Sequence, residues 1–122
     1  MQVKVCNIDH VQLAMPPGEE ERARTFYGGV LGLTEVPKPP ELAKRGGAWF
    51  EQGAVKIHLG VETDFRPARK AHPALIVEGL AEIVARCIRL GYATKRDVAV
   101  EGYERIHVDD PFGNRIELME RD

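Results

Sequence analysis

The chain writes one pattern twice, and that repetition limits what it can fold into. The first half contains Ile8-Asp9-His10-Val11-Gln12-Leu13-Ala14, a helical pattern ending Val30-Leu31-Gly32-Leu33, and then Ala54-Val55-Lys56-Ile57-His58-Leu59. The second half contains Ala71-His72-Pro73-Ala74-Leu75-Ile76-Val77, a helical pattern ending Arg89-Leu90-Gly91-Tyr92, and then Gly113-Asn114-Arg115-Ile116-Glu117-Leu118. The offset is 72 − 10 = 62 at the first histidine, 91 − 32 = 59 at the glycine and 117 − 58 = 59 at the last polar position. So steady an offset marks an internal duplication, which pairs His10 with His72 and His58 with Glu117.

With 122 residues the two copies have material for one ordinary domain, residues 1–122, and must share a core. Module 1 spans about 1–62 and module 2 about 70–122. A net charge of −2 gives no electrostatic reason to expect nucleic acid as partner. No apolar run approaches the roughly 20 residues that span a bilayer, and no secretory signal is evident, so a cytoplasmic protein without a membrane partner is expected. Cys6 and Cys87 lack CxxC spacing; Cys87 reads as a buried free thiol.

Ala23, Phe26, Tyr27, Val30 and Leu31 fall at i, i+3, i+4, i+7 and i+8, with Glu19, Glu20 and Glu21 loading the first turn and Gly32 as the stop. Leu80, Ile83, Val84, Cys87 and Ile88 repeat that spacing before Gly91. Strands are predicted near 6–14, 33–37, 46–52, 54–61, 72–78, 92–98, 103–109 and 114–120, which gives the order βαβββ twice and an α+β fold class. Gln52-Gly53 and Asp110-Pro111-Phe112-Gly113-Asn114 read as tight turns, Pro37-Lys38-Pro39-Pro40 as a loop, and 63–70 as the connector between modules.

Side chains alternate along a strand, which tests each polar position against its neighbours. Val55, Ile57, Leu59 and Val61 make one face, so Lys56, His58 and Gly60 lie on the other. By the same test Glu117 is opposed to Ile116 and Leu118, His10 to Val11 and Leu13, and His72 to Pro73, Leu75 and Val77. If the aliphatic faces pack on the helices, the opposite face is left to line a concave polar cavity for a small ligand. Three imidazoles and one carboxylate suit Zn²⁺, Ni²⁺, Fe²⁺ or Mn²⁺. One histidine on a strand is ordinarily a hydrogen-bonded surface residue; four polar groups at repeat-equivalent positions favour one divalent ion held by His10, His58, His72 and Glu117. His107 lacks an equivalent polar residue in the first copy and reads as a non-ligand.

The motifs Phe26-Tyr27-Gly28-Gly29-Val30-Leu31-Gly32-Leu33 and Asp109-Asp110-Pro111-Phe112-Gly113-Asn114-Arg115-Ile116-Glu117-Leu118, together with Ile8-Asp9-His10-Val11, cover nearly the whole chain. In them the sequence resembles the vicinal oxygen chelate superfamily, which includes glyoxalase I, bleomycin-resistance proteins, fosfomycin-resistance transferases and extradiol dioxygenases. The resemblance implies two βαβββ modules forming an open, barrel-like mixed sheet with helices on the outer face. It also implies a divalent metal on the first and fourth strands of each module, and a homodimer in which two subunits complete one site. The chain departs from glyoxalase I at His58, where that enzyme has a glutamate, leaving Glu117 as the single candidate carboxylate and catalytic base. His10, His72 and Glu117 also match the two-histidine, one-carboxylate set of the dioxygenases and fosfomycin transferases.

The function this implies is a metal-dependent lyase or isomerase of glyoxalase type, acting on a small molecule with vicinal oxygens through an enolate or oxyanion. Arg66, Arg69 and Lys70 crowd the connector before His72, Arg115 shares the face of Glu117, and alternation allows Tyr103, Arg105 and Trp49 to line the pocket, Trp49 fitting the core equally well; Arg115, Tyr103, Arg105, Arg66 and Lys70 are the candidate substrate-binding residues. Two alternatives stand beside it: a metal-free protein that sequesters a drug in an apolar groove, as the bleomycin-resistance members do, or a dioxygenase or thiol transferase of the same superfamily.

Overall fold

A computed structural model describes residues 1–122. The first copy of the pattern folds as β1 (Val11–Met15), α1 (Glu20–Ala23) running on into a wider π-helical stretch (Arg24–Val30), β2 (Thr34–Val36), the single turn α2 (Pro40–Ala43), β3 (Ala48–Gln52) and β4 (Val55–Val61). The second folds as β5 (Ala74–Ile76), α3 (Leu80–Leu90), β6 (Thr94–Arg96), β7 (Tyr103–Asp109) and β8 (Arg115–Arg121). Each copy makes its own four-stranded mixed sheet, in the order β1-β4-β3-β2 and β5-β8-β7-β6. In each the first and last strands run parallel and the others antiparallel. The fold is α+β, with sheets that are not closed into a barrel.

The apolar spacing accounts for the helices. Ala23, Phe26, Tyr27 and Val30 are fully buried, and Leu80, Ile83 and Cys87 of α3 are buried, whereas Ile88, expected on the same face, is 71% exposed. What spacing alone does not reveal is the π-helical widening, in which the Leu31 amide donates to the carbonyl of Phe26, five residues back. Gly91 closes α3 with φ 82°, a left-handed cap that glycine adopts without penalty. Nineteen buried apolar side chains from both modules form a single cluster, so neither copy has a core of its own.

Ladder register confirms the duplication residue by residue. Gln12 lies opposite His58 in β1/β4, and Ala74 opposite Glu117 in β5/β8. His10 and His72, each two residues before those positions, are therefore equivalent. In the neighbouring ladders Trp49 faces His58 and His107 faces Glu117, so Trp49 is the counterpart of His107. Several strands are shorter than the sequence predicts: β1 starts at Val11 rather than near 6, and β5 and β6 keep three residues each. The reason for β1 is geometric. Val11 already pairs with Ile57, and β4 begins only two residues earlier at Val55, so residues before 9 have no strand beside them.

The modules are joined through the Asp110–Asn114 turn. Buried Asp110 accepts from the Tyr27 hydroxyl at 2.7 Å, from the amides of Phe112 and Asn114 at 2.9 and 2.8 Å, and from Asn114 Nδ2 at 3.1 Å. Asn114 Nδ2 also donates to the Ala14 carbonyl at 2.8 Å, while its oxygen accepts the Ala68 amide at 2.9 Å. Burial outweighs these four donors and raises the Asp110 carboxyl; burial first, then the Asp110 charge, drives Tyr27 well above its usual range. Both signature motifs thus act as structural fasteners between the two halves.

Candidate metal centre

Three side chains of the second sheet converge on its open face. Glu117 of β8 and His107 of β7 are directly opposed in the ladder, and His72 reaches them from the segment entering β5. One donor atom from each lies within 4.8 Å of the others. His72 Nε2 is 2.9 Å and His107 Nε2 3.6 Å from the same Glu117 oxygen, Oε1. His107 Nε2 is buried and has no hydrogen-bond partner, an uncommon state for a polar atom shut away from water.

The far nitrogens of both rings fix how they present themselves. His72 Nδ1 lies 2.7 Å from the Lys70 carbonyl, which only accepts, so Nδ1 carries a proton there. The 2.9 Å contact of Nε2 with Oε1 then calls for a proton shared between the two atoms or a cation joining them. His107 Nδ1 lies 3.5 Å from Asp97 Oδ2. An acceptor behind each imidazole, with Nε2 turned inward, is how proteins orient histidine ligands. Burial would raise the Glu117 carboxyl, but hydrogen bonds to His72 and Arg105, with the positive charge of Arg105 and then His107, outweigh it and hold Glu117 below its ordinary value of 4.5. Two imidazole nitrogens and an ionised carboxylate oxygen fit a divalent ion that accepts mixed nitrogen and oxygen donors.

His10 and His58 lie on the first sheet, and the converging set includes neither. They are engaged in an aromatic stack. His58 is sandwiched between His10, with centroids 4.1 Å apart, and Trp49, at 4.0 Å and an interplanar angle of 4°. Burial, followed by the neighbouring His10 charge, lowers the His58 pKa and favours its neutral form. Gln12, Leu42, Glu51 and Lys56 join the stack around a cavity of about 320 Å³. His107, read from sequence as a non-ligand, lies in the converging set; its counterpart in the first copy, Trp49, is aromatic rather than polar, so comparing the two copies passed over it. The signal lay in the hairpin: residues equidistant from Phe112 face one another across the turn, which opposes 107 to 117 as it opposes 109 to 115.

The expected substrate-binding residues divide. Arg115 lines a cavity of about 350 Å³ with Thr94, Lys95, Asp97, His107 and Asp109, next to the cluster through His107. Arg105 is tied down, its Nη1 3.0 Å from Glu117 Oε2 and its Nε 2.9 Å from the Val98 carbonyl. Tyr103 sits at the far end of the same β7 face under the Arg121 guanidinium, 5.9 Å from its centroid. Arg66 and Lys70 are exposed on the connector; what Lys70 gives the site is its backbone carbonyl.

The glyoxalase-like domain profile matches residues 13–119, nearly the entire chain. The chain belongs to the glyoxalase-like domain family. A crystal structure of a glyoxalase family protein from Bacillus anthracis is 49% identical over 100% of both chains, with a TM-score of 0.91. Two more distant structures share the fold with this glyoxalase-like domain. One is a glyoxalase/dioxygenase from Nostoc punctiforme, 18% identical over 100% of this chain and 99% of that one, at TM-score 0.77. The other is the fosfomycin resistance protein FosX from Listeria monocytogenes, 15% identical over 98% and 96%, at 0.76. No protein of curated function matches. No helix of the domain is long and apolar enough to cross a membrane.

Proposed function

We propose that this glyoxalase-like domain holds one divalent ion at His72, His107 and Glu117 and acts as a lyase or isomerase on a small substrate presenting two neighbouring oxygens. The observation that carries the reading is the partnerless, buried His107 Nε2, aimed at the carboxylate oxygen that His72 also reaches. An ion bound there would polarise a substrate carbonyl and offset negative charge developing on its oxygen. Glu117, held ionised, is the ligand carboxylate, and its Oε1 would be available to accept a proton once it left the ion. Lys95 and Arg115 line the adjoining cavity and suit a substrate with an anionic end.

The reading includes a homodimer. Val3, Val5 and Ile8 leave an apolar strip uncovered ahead of β1, at 92%, 90% and 79% exposure. Pairing of two copies would bring His10 of one chain towards the His72, His107 and Glu117 cluster of the other as a fourth ligand, leaving His58 of the expected set in its aromatic stack. A drug-sequestering role calls for a large apolar groove, whereas the cavity beside the cluster has one hydrophobic residue among seven. The test is elemental analysis of protein purified without an affinity tag or added metal, followed by Co²⁺ titration. About one equivalent of metal per site, abolished by His107→Ala, supports the reading; protein that is metal-free and takes up no Co²⁺ overturns it.

A further inference from the structure

We infer that Arg105 is a positioning residue that ties up one oxygen of Glu117, so that this carboxylate offers the ion a single oxygen. The inference rests on the metal reading above and concerns how the site is tuned. Its basis is a division between the two carboxylate oxygens: the imidazole nitrogens of His72 and His107 gather on Oε1, at 2.9 and 3.6 Å, while Arg105 Nη1 lies 3.0 Å from Oε2.

The guanidinium is fixed by two hydrogen bonds and faces a second carboxylate. Nε donates to the Val98 carbonyl at 2.9 Å, Nη1 to Glu117, and Nη2 lies 3.7 Å from Asp97 Oδ2. Its side chain is 17% exposed, and two of its nitrogens are committed to hydrogen bonds within the chain. Asp97 also reaches Nδ1 of His107 at 3.5 Å, so one carboxylate holds both the arginine and a ligand imidazole in place. Arginine suits this work because its planar fork keeps its charge and holds a carboxylate in a defined geometry. Its positive charge also repels a cation at the cluster, and so weakens the hold on the ion.

Removing Arg105 frees Oε2 and deletes that repulsion, and both changes act in the same direction. The probe is Co²⁺, whose visible absorption weakens as its coordination number rises. Arg105→Met should bind Co²⁺ about tenfold more tightly than wild type, with a fainter visible band as the second oxygen joins. Arg105→Lys, which keeps a cation near Oε2, should restore part of the wild-type spectrum. Where the methionine variant fails to fold, Arg105→Leu, which likewise offers no donor to Oε2, gives the same readout. Wild type that binds Co²⁺ beside a variant with unchanged or weaker binding and the same spectrum overturns this inference and leaves the metal centre standing. Failure of wild type to bind Co²⁺ overturns both.

Discussion

Asn114 offers the most quantitative test of how the two modules are held. Its side chain is 1% exposed and makes three hydrogen bonds, to the Ala14 carbonyl, the Asp110 carboxylate and the Ala68 amide. Asn114→Ala strands the Ala14 and Ala68 backbone groups and removes one of the four donors to Asp110. Each stranded group costs roughly 1–3 kcal/mol when water cannot reach it. Ala14 and Ala68 are only half-buried, so water recovers part of that. The expected loss is therefore about 2–4 kcal/mol. For 122 residues, an unfolding entropy of about 2.1 cal/mol/K per residue converts each kcal/mol into about 4 °C of Tm. The variant should melt about 8–16 °C below wild type. Circular dichroism gives the melting temperature, and urea titration the free energy, with an unchanged m-value as the check that one cooperative transition remains. A loss below about 1 kcal/mol would refute the assignment of the turn as a structural fastener.

Other outcomes follow from the same geometry. Tyr27→Phe removes a further donor to Asp110 and should cost about 1–2 kcal/mol; combined with Asn114→Ala the losses should depart from additivity, as a double-mutant cycle would show. Gly47→Ala would place a Cβ 2.1 Å from the Leu59 carbonyl oxygen at φ 82°, and should sharply lower the melting temperature or the soluble yield. His107→Ala should abolish Co²⁺ binding while Trp49→Ala leaves it intact, and the reverse result would move the metal to the first sheet. Glu117 titrates below its ordinary 4.5 in the folded chain, so its stabilisation is complete above that value and is lost as pH falls through the lowered one. In metal-free protein Glu117→Gln should accordingly flatten the acid limb of the stability profile, and an identical limb would contradict the shift.

The repeat, the helices and the shared core were legible because each is written as spacing: an apolar stripe per helix, from which only Ile88 departs by facing out, alternation along each strand, one glycine per stop. The extent of β1 was not, since it depends on where β4 begins rather than on anything in residues 6–10. The site was half legible. Alternation placed His72 and Glu117 on one face, yet seeking an equal number of ligands in each copy passed over His107, whose counterpart is Trp49. It also gave His10 and His58 the chemistry of their equivalents, whereas within one chain they lie in an aromatic stack on the other sheet. Period and register carry a backbone from one copy to the next; they do not carry the identity of the side chain that lands there.

The turn that locks Asn114 and Asp110 to Tyr27 bears on how such a scaffold diversifies. Because these residues join the halves, losing one would cost stability whatever molecule the domain handles, whereas Trp49 and His107, at equivalent places in the two copies, already differ.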